Sequence, residues 1–599
     1  VHTSLSFDAA ANTIGASPTD AHQFAKGKPI SFWPLDENGT PVGKYALDQP
    51  LDFIAVTDHG EFLGERRLCR ETGSPSYNTH FCEATRVSER QSMMMFGQVI
   101  TTESPKRITE VCGDEGNICR EFALAPWEIM QKAAEEAYDK SSNCNFTAFI
   151  AYEYTGTPGT SNYHRNVIFK NGDVPKLPIS YVEAPFDTLL WSKLDEACNL
   201  ENNCEYITIP HNTNLSNGRM APYMRIDRNL EGRRQYSKTR QTREPILEIF
   251  QHKGNSECIN GLASILAPPD ELCNFEAIKD IGKSKTYQRF VSAPGSTNLV
   301  LGETTEVIEE CKENYGEYGM IGAGCVDLTD YHRSGLLVGL REQSETGINP
   351  IKLGAIGSTD THAATPGAAV ESDWRGHVTL ESTPQERLQP GLLTSGIDGN
   401  PGGLAGVWAR ENSRDAIFSA MQRREVFGTS GTRIIPRFFA GWEYPQTICS
   451  SADLSKIGYA NGVPMGSDLP TATATNKSPI FVAAASQDIN SAPLVEIQLI
   501  KGWIDKQGNM RNRILSIIKE PKGTSSLCGL HSDATFSEKE LSYYYLRVLE
   551  APTKRWSQYD CEKLPQDVRP EICSDDSYPS SVQEMAWTSP IWFTPRQRN

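Results

Sequence analysis

Leu51-Asp52-Phe53-Ile54-Ala55-Val56-Thr57-Asp58-His59-Gly60 decides how this chain is read. A short, unbroken apolar run ends in an acid, an imidazole and a glycine. Such a run reads as a strand covered on both faces, with its polar groups delivered at the carboxyl end. The pattern recurs along the chain. The run 146–154 delivers Glu153, with His164-Arg165 after a Gly-rich loop; 206–210 leads to His211-Asn212; 246–250 leads to His252-Lys253; and 353–358 leads to Asp360-Thr361-His362. Helical periodicities lie between them, over 126–139 with Pro126 in the first turn, 186–199, 327–341 and 413–426, the last capped by Ser413. Alternating strands and helices predict an α/β sheet or barrel with parallel strands over 1–435.

Beyond residue 436 short alternating strands take over, at 479–484, 495–502, 513–519, 543–549 and 591–593. They predict a C-terminal all-β sandwich-like domain over 436–599, with a surface loop at 462–477. Residues 62–125 read as a loop-rich insertion in the first domain.

Composition narrows the function. The net charge of −17 argues against a nucleic-acid partner held by diffuse charge. No apolar run is long enough for a transmembrane helix. The 15 cysteines contain no CxxC zinc-ribbon spacing and instead bracket short polar loops. The spacing pairs Cys69 with Cys82, Cys112 with Cys119, Cys198 with Cys204, Cys258 with Cys273, Cys311 with Cys325 and Cys561 with Cys573. Cys449 and Cys528 make a longer pair and Cys144 is left over. Local clips of this kind belong to an oxidising compartment, so a periplasmic or secreted protein is expected, its leader removed.

With only 11 His in the chain, their gathering at strand ends beside acids is informative. Parallel sheets bring such ends to one mouth, and mixed His, Asp and Glu donors there suit Zn, Mn or Fe in a catalytic site. Val1-His2-Thr3-Ser4-Leu5-Ser6-Phe7-Asp8, Thr57-Asp58-His59-Gly60, Ala151-Tyr152-Glu153-Tyr154, Ile209-Pro210-His211-Asn212 and Gly357-Ser358-Thr359-Asp360-Thr361-His362 together resemble the PHP (polymerase and histidinol phosphatase) superfamily. Within it, the chain is most similar to a branch of large secreted bacterial proteins catalogued as a domain of unknown function. The resemblance implies a distorted (β/α)7 barrel with two or three divalent transition-metal ions. It implies His2, Asp8, His59, Glu153, His164, His211, Asp360 and His362 as ligands, with Glu153 bridging two ions. It also places a further His just before Val1.

The reaction expected of such a site is hydrolysis of a small phosphomono- or phosphodiester. Asp58 would orient a ligand or handle a proton, and Arg165 would hold a phosphate oxygen. The resemblance gives His252 a specificity role without metal ligation. Residues 428–433 offer an anion nest with Arg433. His332 and Arg333 read as a solvated helix face; His22, His80, His377 and His531 fall outside the pattern. Two alternatives stay open: the same site hydrolysing an amide, lactone, sulfate or phosphonate, and a non-enzymatic, metal-stabilised envelope or assembly protein. Monomer and homodimer are both compatible with the sequence.

Overall fold

A computed structural model describes residues 1–599 except 10–14, 222–228, 263–268, 293–298, 313, 379–380, 392–393, 473–476, 576–577 and 597–599. The expected strand positions of the first part hold Phe53–Ala55, Thr147–Phe149, Ala151–Tyr154, Tyr206–Pro210, Ile246–Gln251 and Gly354–Gly357. Successive side chains on these strands enter two different cores. Ile54, Ile150, Tyr152, Leu247 and Ala355 pack with Trp127, Trp191 and Leu336 of helices Asn117–Ala137, Asp187–Ala197 and His332–Thr346. Phe149, Ala151, Ile207, Ile209 and Ile246 face the opposite way, onto Ile417, Phe418 and Met421 of helix Arg414–Gln422. Burial on both faces explains the unbroken apolar runs; each large side chain so buried contributes about 1.5–3 kcal/mol. Ser413 caps the last of these helices, accepting a hydrogen bond from the backbone N–H of Ala416.

Pairing is mixed, not parallel throughout. Phe53–Ala55 runs parallel to Thr147–Phe149, and Gly354–Gly357 parallel to Ile246–Gln251. A strand that the sequence reading missed, Arg165–Phe169, lies antiparallel between Ala151–Tyr154 and Tyr206–Pro210. The connection over 155–164 is shorter than the dozen or so residues a crossover needs, so the chain turns back beside its neighbour.

Other expectations are corrected. The insertion over 62–125 is largely helical, with Leu63–Arg70, His80–Thr85, Glu89–Val99 and Thr109–Cys112. Thr79 and Ser88 cap two of these short helices through their hydroxyls, a local signal hidden among polar residues. The long helix starts at Asn117, leaving Pro126 in its interior; the Cys112–Cys119 disulfide secures its first turn. The stretch 462–477 contributes strands Gly462–Pro464 and Asp468–Leu469, and its residues 473–476 lie outside those described.

Two sheets build the C-terminal part. Ile435–Gly441, Gly462–Pro464, Ile480–Ser486 and Ser526–Ser532 form one of four strands. The other has eight, centred on Leu494–Ile504 and Ser542–Glu550. Phe438, Phe481 and Leu527 of the first meet Leu499, Tyr544, Leu546 and Ile591 of the second in a common core. Hydrogen bonding crosses the expected boundary at 435. Leu404–Val407 and Val426–Thr429 belong to the eight-stranded sheet, because Val426–Thr429 pairs on its other edge with Met585–Thr588.

The disulfides are Cys69–Cys82, Cys112–Cys119, Cys198–Cys204, Cys258–Cys273, Cys311–Cys325, Cys449–Cys528 and Cys561–Cys573, with Cys144 free. Six pairs are those read from spacing and the seventh is the expected longer pair, and together they suit an extracellular protein. Among the described residues no helix is long and apolar enough to cross a membrane. Cys449–Cys528 closes a 79-residue separation, whereas the others close 6 to 15. Chain entropy assigns it about 4.5 kcal/mol against about 2–3 for each of the others. A Cys449→Ala/Cys528→Ala variant should therefore lose the most stability of any single-pair deletion in urea unfolding. Equal losses across the pairs would contradict this.

Candidate metal centre

Strand register assembles the site. Tyr154 pairs with Arg165, and Arg165 with Pro210, so Glu153, His164 and His211 reach one edge of a three-stranded sheet. His59 forms a bridge with Glu153, bringing in the end of the neighbouring strand. Residues 1–2 lie between two further strand ends: Thr57 N–H donates to the Val1 carbonyl at 2.9 Å and His2 N–H to the Thr361 carbonyl at 2.8 Å. Glu153 and His211 continue the alternation that sends Phe149, Ala151, Ile207 and Ile209 into the core below.

All eight residues implied as ligands come together. His2 Nε2 is 3.1 Å from Glu153 Oε2 and 3.1 Å from Asp360 Oδ1. Asp8 Oδ2 is 3.2 Å from His59 Nε2 and 3.0 Å from His362 Nε2. Glu153 Oε1 is 2.9 Å from His164 Nδ1 and 3.5 Å from His211 Nε2. Donors held about 2.0–2.2 Å from a shared ion stand about 3 Å from one another, so these residues could hold a metal ion between them. The donor atoms fall into groups: His2, Asp8, His59 and His362; Glu153, His164 and His211; and His252, Asp360 and His362. Only Asp8 among them is partly exposed.

Surrounding hydroxyls fix which nitrogen points inward. The Thr3 N–H, the Thr3 hydroxyl and the Ser6 hydroxyl donate to the Asp58 carboxylate at 2.6, 2.7 and 2.7 Å. Ser6 has thereby used its proton, so its oxygen, 2.9 Å from His2 Nδ1, must accept from that nitrogen. His2 Nε2 then presents a lone pair to Glu153 and Asp360. The Thr155 hydroxyl donates to Glu153 Oε1 at 2.9 Å, so His59 Nδ1, 2.5 Å from the same hydroxyl, is again the donor and Nε2 carries the lone pair. His362 Nδ1 faces the Asp360 carbonyl at 3.0 Å with the same result. Lone pairs facing carboxylate oxygens repel unless a cation or a proton lies between them.

Asp58 is 0% exposed and its carboxylate is taken up by Thr3 and Ser6, which suits positioning the segment that carries His2 better than handling a proton. Ser6→Ala should lower metal affinity by about 10- to 100-fold, the usual cost of losing an outer partner of a ligating His. Isothermal titration with Zn or Mn checks this, and an unchanged affinity would refute the orienting role.

Electrostatics express the same demand for positive charge. Burial opposes ionisation of Asp8 and Glu153, yet His59 and His362 beside the first, and His211, His59 and His2 beside the second, hold both well below the usual carboxylate range. Against its own burial, His59 is raised to about 9 by Asp8 and Glu153. His164 is lowered to about 4, chiefly by burial. Asp8 Oδ1 and the Nε2 atoms of His59, His164, His211 and His252 are buried without a hydrogen-bond partner. Orphaned N and O atoms converging on ionised carboxylates fit divalent transition-metal ions.

Four expected roles change. Arg165 is wholly buried: its Nε donates to Glu244 at 2.5 Å, its guanidinium lies 3.8 Å from Asp187 and it stacks 4.4 Å over Tyr163. Strand alternation turns it away from His164 and Asn166, so it is not a phosphate clamp. Arg433 donates to the Gln49 and Pro50 carbonyls at 2.6 and 3.0 Å, tying two loops, and Gly428-Thr429 is strand instead of nest. His332 and Arg333 are buried, the first 3.2 Å from the Leu353 carbonyl, the second in an ion-pair network. His252, read as a specificity residue, stands among the donor atoms with Nε2 3.6 Å from Asp360 Oδ2.

The sequence reading missed Ser6, Thr155, Gln251, Glu248 and Lys253. Gln251 Nε2 donates to Asp360 Oδ2 at 2.9 Å, and burial raises Glu248 to about 7. Thr155, Gln251 and Lys253 sit at or just past a strand end, the one signal that marked them; Glu248 lies inside its strand and Ser6 in the N-terminal segment, where no such signal exists.

No curated protein and no solved structure matches the chain. One family model does, over residues 1–519 and 516–595, so that every donor and both C-terminal sheets fall within it. The chain belongs to the family described as protein of unknown function (DUF3604).

Proposed function

We propose that this protein is a metal-dependent hydrolase with a PHP-like (β/α)7 barrel, acting on small phosphomono- or phosphodiesters in the periplasm or outside the cell. The observation that supports it best is the pair of orphaned imidazole nitrogens that face ionised carboxylates, His59 Nε2 toward Asp8 and His211 Nε2 toward Glu153. His2, Asp8, His59 and His362 suit one ion and Glu153, His164 and His211 a second, with the two Glu153 oxygens turned to different groups. Zn, Mn or Fe ions there supply Lewis-acid charge and acidify water. The chain itself contributes rigidity: Ser6 and Thr155 hold two imidazoles in the ligating tautomer, and Asp58 anchors the segment that carries His2. Asp8, the partly exposed donor, marks the side open to substrate.

The test is metal analysis of the purified protein, followed by a chromogenic panel of phosphate monoesters, phosphate diesters, phosphonates, sulfates, esters and amides with added Zn, Mn or Fe. The reading expects bound transition metal and turnover strongest on phosphoesters. Turnover confined to another ester or amide class would keep the centre and replace the substrate. Absence of bound metal, with no turnover across the panel, would favour an envelope or assembly role.

A further inference from the structure

The group formed by His252, Asp360 and His362 differs from its neighbours in already having a cation. Lys253, in the turn after strand Ile246–Gln251, sets its ammonium on Asp360 Oδ2. That oxygen also accepts from Gln251 Nε2 at 2.9 Å, while Asp360 Oδ1 faces His2 Nε2 at 3.1 Å. Lys253 is held by its backbone on both sides: its N–H donates to Gln251 Oε1 at 2.7 Å and its carbonyl accepts from Asn214 Nδ2 at 3.0 Å. It is 8% exposed. Among the described residues it is the one Lys or Arg paired with a carboxylate of the donor cluster.

Resting on the metal-centre reading above, we infer that Lys253 takes the place of a third metal ion, so that the centre holds two ions and one fixed ammonium. The lone pairs of Asp360 Oδ2, the oxygen nearer His252, are engaged by an ammonium and an amide, and Oδ1 is turned instead to His2 of the first group. A divalent ion between His252 and Asp360 would lie beside that ammonium in a buried pocket, where like charges repel strongly. Among the described residues neither of the other two groups has a Lys or Arg side chain paired with it. The charge count agrees. Three carboxylates against two divalent ions and one ammonium leave two positive charges, enough to receive a phosphate dianion; a third ion would leave four. A charge carried on a side chain also survives chelation, unlike the two exchangeable ions.

The test is stoichiometry, read by elemental analysis and native mass spectrometry after saturation with Zn or Mn and removal of free metal. Wild type should carry two ions per chain, Lys253→Met three, and Lys253→Arg two. Should the Met variant not fold, Lys253→Gln, which retains an N–H for Asp360 without the charge, should likewise carry three. Three ions in wild type, or two in both wild type and the uncharged variants, would overturn the inference and leave the metal centre standing. No bound ion in any of these proteins would overturn the metal centre itself.

Discussion

Glu153→Gln is expected to empty the centre and abolish turnover. The side chain is 1% exposed, and its two oxygens face different donor groups, so one substitution removes a charge from both. Gln keeps the size but presents an N–H₂ on one side, where the imidazoles need an acceptor or a shared cation. Loss of an outer partner costs about 10- to 100-fold in affinity or activity, so loss of this inner carboxylate should exceed about a hundredfold. Elemental analysis should find metal near background, with turnover lost in parallel. The effect should be confined to the centre, because the disulfides and both cores lie outside it. A Gln variant with full metal content and wild-type turnover would remove Glu153 from the site.

The largest effect of a single substitution on stability should come from Glu257→Ala, outside the donor set. Glu257 is 0% exposed and accepts from Arg333 Nη2 at 2.5 Å, Tyr545 OH at 2.7 Å, Trp587 Nε1 at 2.7 Å and Arg547 Nη1 at 3.2 Å. Asp270 completes the network, 2.9 Å from Arg333 and 3.0 Å from Arg547. The network joins the α/β part to the eight-stranded sheet. Truncation leaves two buried guanidinium groups with one carboxylate between them, a loss of about 3–5 kcal/mol. Chemical denaturation measures it; a loss below about 1 kcal/mol would show the network to be dispensable.

The same residue sets a pH dependence. Burial opposes its ionisation, but Arg547 and Arg333 hold Glu257 well below the usual carboxylate range. A folded pKa beneath the unfolded one means stability present above about pH 4.3, the unfolded value, and lost as pH falls toward the folded one. Wild type should therefore weaken below about pH 4.3, and Glu257→Gln, already lacking the charge, should weaken less steeply there. Equal acid slopes for the two proteins would exclude Glu257 as the source.

The strand ends were legible for a local reason. Burial on both faces makes each apolar run unbroken, and a sequence records such a run, and the polar residues at its end, directly. The strand Arg165–Phe169 was missed because its polar start, beside His164, breaks the apolar run. The helices over 62–125 were missed because each is short and is signalled by capping at Thr79 and Ser88 more than by periodicity.

By itself the sequence determined the apolar strands, the residues at their carboxyl ends and the seven cysteine pairs. These depend on neighbours a few residues away or on short loop closures, except Cys449–Cys528, which joins two of the cysteines left over once the six local clips are made. Only the tertiary structure decided which charges meet. Arg165 finds Glu244 across 79 positions, Lys253 finds Asp360 across 107 and Arg547 finds Glu257 across 290. A buried ion needs its partner within a few ångströms, and the packing of distant elements alone sets that distance.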